Sequence, residues 1–195
     1  IESFYPIPIG ISTGSMGDTL RSLRLRQLLE GRDRMTPDEI RKMIADSVNP
    51  ARVAIVRAGY HLRDVLGEDL APEALDALAH LELWHACGGP SDLGYPGAEL
   101  AMHLGTMFRI MQTDLAVVYG GGESGLARFV KALNRRLDAD PEAPIEPLER
   151  EFIENALADA WIAAERAYGG DSLTWNDTAR REVTQRRLGY YEGLD

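Results

Sequence analysis

The sequence predicts a mainly α-helical chain with a short extended segment at its front. Three observations carry this. Apolar residues recur at three- and four-residue spacing through most of the chain, the period of one helix face. Helix starts and stops punctuate that pattern at Gly31, Thr36-Pro37, Ala71-Pro72 and Gly88-Gly89-Pro90. Ahead of the first helix, Pro6 and Pro8 stand two apart, which suits extended chain or an edge strand.

The front divides from the rest at residue 19. Ile1 to Ile11 reads as extended, and Ser12 to Thr19 has the Gly/Ser/Thr chemistry of a loop. This stretch has nothing local to pack against, so it is expected to lie on another segment or chain. Residues 20–195 form the helical domain. Leu20 to Glu30 is rich in Leu and Arg and ends at Gly31, a usual helix stop. Thr36 can cap the next helix, with Pro37 at its first position and Glu39 closing a capping box. Ile40, Met43 and Ile44 give that helix one apolar face. Asn49-Pro50 breaks the chain, and Ala51 to Leu66 is the following helix. Ala71-Pro72-Glu73 starts another, which carries Leu75, Leu78 and Leu81.

The second half repeats the pattern. Ala101, Leu104, Phe108, Met111 and Leu115 keep helical spacing, as do Leu126, Phe129, Val130, Leu133 and Leu137. Glu149 to Tyr168 is a long Ala-rich helix ended by Gly169-Gly170, and Ser172 to Arg187 has room for one more around Trp175. The expectation is seven or eight helices, with no repeat at a fixed period.

Composition bounds the function. At 195 residues, with 45 % apolar and 27 % charged residues, the chain is ordinary globular material. Lys and Arg number 21 against 31 Asp and Glu, a net charge of −10. With no surplus of cations, neither nucleic acid nor an anionic membrane surface is an expected partner. No run approaches the roughly 18 apolar residues a membrane span needs. The front has neither a basic start nor a long apolar stretch, so no signal peptide is read there. The chain begins at Ile1 without Met, which leads us to expect a processed or cut product. The single Cys87 excludes an internal disulfide framework.

Several constellations have two readings. Gly120 to Gly125 fits G-x-G-x-x-G after the apolar Leu115 to Tyr119, as a dinucleotide loop would. A Rossmann unit also needs strands alternating with helices, and none is visible. A helix–helix turn capped by Ser124 or Gly125 is the expectation. His80 and His85 are five apart, whereas a helical zinc pair wants four. Glu99 and His103 are one turn apart but lack partner carboxylates at di-iron spacing. Cys87 reads as a small core residue at a helix end, with no evident base to activate it. Gly14-Ser15-Met16-Gly17 has Thr13 where a nucleophile elbow wants Gly. Arg21, Arg24 and Arg26 crowd the first helix just after the glycine loop, against the macrodipole. Either they form a solvated face paired with Glu30, Asp33 and the acidic surface, or one is held for an anion or a developing negative charge.

The succession of segments resembles the penicillin amidase (penicillin acylase) family of N-terminal-nucleophile hydrolases. It runs from Gly17-Asp18-Thr19-Leu20-Arg21-Ser22-Leu23-Arg24-Leu25 through Leu28-Leu29-Glu30 to Met35-Thr36-Pro37-Asp38 and Asp46. Leu81-Glu82-Leu83-Trp84-His85 sits where the family has Leu-x-x-Trp-Asp, and a helix over Gly97 to Phe108 follows. Ala156 to Trp161, Tyr168-Gly169 and Leu173-Thr174-Trp175-Asn176-Asp177 resemble the family's late helix and its Trp-Gly-Asp-like segment. Two positions depart from the pattern: His85 replaces Asp, and Asn176 replaces Gly.

The resemblance implies a piece of the large chain of an enzyme cut from one precursor. The front segment would then join the αββα sheets of a partner chain. The complete enzyme would hydrolyse a linear amide, such as an acyl-homoserine lactone or a β-lactam side chain. Its nucleophilic N-terminal Ser would come from another segment or chain, so this chain alone is expected to be inactive. The family's oxyanion-hole Asn has no counterpart here, because no Asn precedes Asn49. The family's active-site Arg falls on Arg21, the catalytic candidate. The front loop supplies the candidate acyl-pocket residues Tyr5, Ile7, Ile9, Ser15 and Met16. The family often binds calcium near the front of this region, where Pro8 or Ile9 stands and Asp18 is close by. No cofactor is expected from these residues themselves, calcium being a question for the complete enzyme. Implied partners are the other chains of the same precursor and a small amide substrate. Family resemblance implies a periplasmic or secreted location. A different class of reading is a non-catalytic helical interaction module.

Overall fold

A computed structural model describes residues 19–66, 69–91, 97–104 and 114–168. These residues form eight α-helices and no strand. They are α1 (Leu20–Leu29), α2 (Pro37–Ile44), α3 (Pro50–Leu66), α4 (Pro72–Ala86), α5 (Ala98–Leu104), α6 (Asp114–Tyr119), α7 (Gly122–Ala139) and α8 (Pro147–Tyr168).

Local chemistry sets most of the boundaries. Thr19 caps α1, its hydroxyl accepting from the Ser22 amide while the Ser22 hydroxyl accepts from the Thr19 amide. Thr36 and Glu39 make the expected reciprocal box at α2, with Pro37 at the first turn. The Asn49 side chain accepts from the Ala51 amide at the start of α3. Gly31 takes φ +72° just beyond α1, a conformation that costs glycine nothing.

α8 is the hub, packed against α3, α4, α5 and α6, while α3 also meets α4 and α7, and α1 lies across α3 and α7. The expected faces turn inward: Leu126, Phe129, Val130, Leu133 and Leu137 of α7 and Phe152, Ile153, Leu157 and Trp161 of α8 are all buried. Phe129 meets Phe152 edge-on at 5.4 Å and Tyr119 at 5.5 Å. Gly59 marks where α3 approaches α4 and α8 most closely. A Cβ there would lie 2.7 Å from Leu157 and 2.9 Å from Leu78.

Three expectations change. The apolar face of α2 is not buried: Ile40 and Ile44 are 41 % and 72 % exposed, and α2 has no extensive packing against another described helix. Cys87 is exposed rather than in the core, since it falls at the cap of α4 where the chain turns outward. As expected, Gly120 and Gly121 form a helix–helix turn: the apolar Leu115 to Tyr119 is helical, and no strand precedes Gly120. The cap of α7 is Gly121, not Ser124 or Gly125. Gly125 instead sits buried within α7, with its missing Cβ position 1.6 Å from the Gly120 carbonyl oxygen.

Buried charge gathers at one corner. Glu149, 2 % exposed, accepts from Tyr119 and from Arg136 at 2.6 and 2.8 Å. Burial, reinforced by the hydrogen bond to Glu149, pushes the Tyr119 phenol up to about 12, so it stays a neutral donor. No described helix is long and apolar enough to cross a membrane.

Candidate functional site

The site begins with α1. Its first turn holds no acidic residue, and Arg21 and Arg24 load it with positive charge. Compensation comes from far along the chain. The Glu123 carboxylate, in the first turn of α7, accepts from the Leu20 amide at 3.3 Å. One carboxylate thereby serves two helix N-termini, the favourable sign at both.

Between α1, the 46–52 segment and the start of α7 lies a cleft of about 700 Å³. That is within the usual range for small-molecule sites, about 300–1,000 Å³. Three arginines (Arg21, Arg24 and Arg52) and two carboxylates (Asp46 and Glu123) line it. Its apolar wall includes Leu25, Leu28, Met43, Val48, Met102 and Leu126. In a chain of net charge −10, this is a local excess of positive charge.

The three arginines differ in kind. Arg24 grips Asp46 with both arms, Nε to Oδ2 at 2.9 Å and Nη2 to Oδ1 at 2.8 Å. Of the expected partners (Glu30, Asp33 and the acidic surface), Arg24 takes one from the acidic surface, Asp46. The hydrogen bond from Arg24 holds the Asp46 carboxyl below its usual range and raises the Arg24 guanidinium in turn. Arg21 is exposed on the rim and has no ion pair among the described residues.

Arg52 is half-buried. Its Nη1 donates to the Ser91 hydroxyl at 3.1 Å, and its Nε is buried with no acceptor. No carboxylate among the described residues pairs with it. Burial without that counter-charge pulls its pKa down. The Ser91 partner is itself pinned, its amide donating to the Ser47 hydroxyl at 3.1 Å. Next to it, Trp84 Nε1 donates to the Pro90 carbonyl at 2.6 Å.

The expected site residues therefore separate. Arg21 reaches the cleft, whereas Tyr5, Ile7, Ile9, Ser15 and Met16 lie outside the described residues. Pro8, Ile9 and Asp18, which bear on calcium, lie outside them too. Among the described residues, no three His, Cys, Asp or Glu side chains gather to hold a metal. The histidines have structural partners. His80 lies 4.7 Å from Trp161, His85 meets Tyr60 edge-on at 5.3 Å, and His61 contacts the Ala143 carbonyl.

Arg52, Asp46, Glu123 and Ser91 were not among the residues predicted for the site. Only Arg52 carries a local signal. It stands in the apolar run Pro50-Ala51-Arg52-Val53-Ala54-Ile55-Val56 with no acidic residue three or four positions away on either side.

Compared with known protein families, curated proteins and solved structures, the chain matches none of them.

Proposed function

We propose that this chain is the helical part of a penicillin amidase-like N-terminal-nucleophile hydrolase that cleaves linear amides. The observation that carries the reading is the position of Arg21: exposed, without an ion pair among the described residues, and lining a cleft with an apolar wall. In this reading, a Ser from another segment or chain attacks the amide carbonyl, and its own α-amino group takes the hydroxyl proton. The carbon–nitrogen bond breaks, the amine leaves with the proton, and water then releases the acyl group from the Ser ester. Arg21 contributes electrostatically, as a fixed cation near the charge that develops on the carbonyl oxygen.

A second reading is a non-catalytic interaction module. It draws on the self-sufficiency of the helical core, where Trp84, Phe129 and Leu157 are completely or almost completely covered by the chain's own helices.

Intact-mass analysis of the purified native assembly under denaturing conditions separates the two. The hydrolase reading expects a second chain that begins with Ser, and linear amides hydrolysed by the assembly. A single 21.6 kDa species without amidase activity would favour the module.

A further inference from the structure

The cleft holds a cation that nothing in the described chain neutralises. Arg24 is spent on Asp46, and Glu123 is engaged by the α1 N-terminus. Arg52 retains one neutral hydrogen bond, to Ser91, and a buried Nε without an acceptor. A half-buried guanidinium left this way is costly, and an anion that reaches it recovers the cost. The same cleft has an apolar wall that includes Leu25, Leu28, Val48, Met102 and Leu126. A purely inorganic anion would leave that wall unused. A purely apolar ligand would leave Arg52 unpaired.

We propose that this cleft binds a small amphiphilic carboxylate, its head on the Arg52 guanidinium and its hydrocarbon chain along Leu25, Leu28, Val48 and Leu126. The planar fork of an arginine matches a carboxylate better than a point charge does. The chain carries a net charge of −10, so an anion gains no general attraction to it and depends on a local cation such as Arg52. Ser91 is a positioning residue: it holds the guanidinium at the cleft through Nη1. The site is independent of the amidohydrolase reading, since occupancy is measured without turnover.

The test uses the chain in its native assembly and three ten-carbon probes: decanoate, decan-1-ol and decylammonium, each below its aggregation concentration. Calorimetric titration should show decanoate binding about tenfold or more tighter than decan-1-ol, the scale of one charge-assisted hydrogen-bonded contact. Decylammonium should bind weakest. Arg52→Gln should lower decanoate to the level of decan-1-ol and leave decan-1-ol within about twofold, and Arg52→Lys should retain part of the preference. Should Arg52→Gln fail to fold, the wild-type assembly still decides. In a 15N-detected titration, the Arg52 guanidinium resonance should move with decanoate and stay still with decan-1-ol. Equal affinity for decanoate and decan-1-ol, or decanoate binding without movement of the Arg52 signal, would overturn the proposal. Failure of amide hydrolysis would leave it standing, and loss of decanoate binding would leave the hydrolase reading standing.

Discussion

The corner formed by α6, α7 and α8 and the cleft beside α1 both bury charge, and they treat it in opposite ways. At the corner, Glu149 is matched by two donors of Arg136 and Tyr119 and by the Glu146 amide. At the cleft, the partner that Arg52 keeps among the described residues is a serine hydroxyl. A buried charge whose partners include a counter-charge ties elements together, as Glu149 and Arg136 do for three helices, even though Arg136 Nε is itself buried without an acceptor among the described residues. A buried charge with too few partners costs stability unless something outside the chain completes it. The contrast is why the cleft, and not the richer ionic network, is the candidate site.

The sharpest way to break the comparison is to make the corner resemble the cleft. Glu149→Gln strips Arg136 of the counter-charge it is paired with. The expected cost is about 3 kcal/mol in urea unfolding of the chain, the scale of a buried pair broken on one side. A cost below about 1 kcal/mol would mean that the corner is solvated and the contrast false.

Arg21→Ala should do the reverse, with little effect on stability and a large one on function. Because Arg21 is exposed and unpaired among the described residues, stability should shift by no more than about 0.5 kcal/mol. Amide hydrolysis by the assembly should fall about tenfold to a hundredfold in kcat/KM. Equal losses in both would make Arg21 structural.

Glu99 sharpens the rule from the acidic side. It is 2 % exposed and neither carboxylate oxygen has a partner among the described residues. Burial raises its pKa, so the folded state holds the proton more tightly than the unfolded one. The penalty is therefore absent at low pH and grows as pH rises through the unfolded toward the folded value. Glu99→Met should stabilise the chain by about 1 kcal/mol at pH 7. The gain should shrink as pH falls through the raised folded value toward the usual glutamate range and level off below it, and a gain that does not depend on pH would point to packing instead.

Asp46 should give a smaller effect with the opposite pH sense. Its folded pKa is lowered, so the Arg24 pair contributes fully above the unfolded aspartate value, about 3.9. That contribution fades as pH falls through the lower folded value. Asp46→Asn should cost about 1 kcal/mol at pH 7 and progressively less in acid. A cost that persists in strong acid would assign the effect to shape rather than charge.

Much of the fold was legible because its signals are local. Thr36, Pro37 and Glu39 act within one turn, and Gly31 stops α1 by its own conformational freedom. Long helix faces such as Phe129 to Leu137 were readable because a strong period leaves one side to bury. What failed depended on neighbours. Ile40 and Ile44 have the right spacing, but whether a helix stands opposite is a tertiary fact. Gly125 looked like a cap, yet its role is to let the Gly120 carbonyl come close. The cleft was the least legible part. The Arg24–Asp46 and Leu20–Glu123 contacts span 22 and 103 positions, and no local rule links residues so far apart. Arg21 was found through the order of motifs and its odd place at a helix start. Arg52 had a local signal, a cation in an apolar run without an acidic neighbour.

α2 has one last consequence. It buries no residue, yet Met43 and Ile44 form part of the cleft wall. Its backbone hydrogen bonds therefore open at a much smaller free energy than those of α3 or α8. Whatever occupies the cleft touches this least protected helix and must be released, at least in part, for it to unwind. Occupancy and amide exchange in α2 are thus thermodynamically linked, and the exchange rate of a few surface amides becomes a gauge of how full the cleft is.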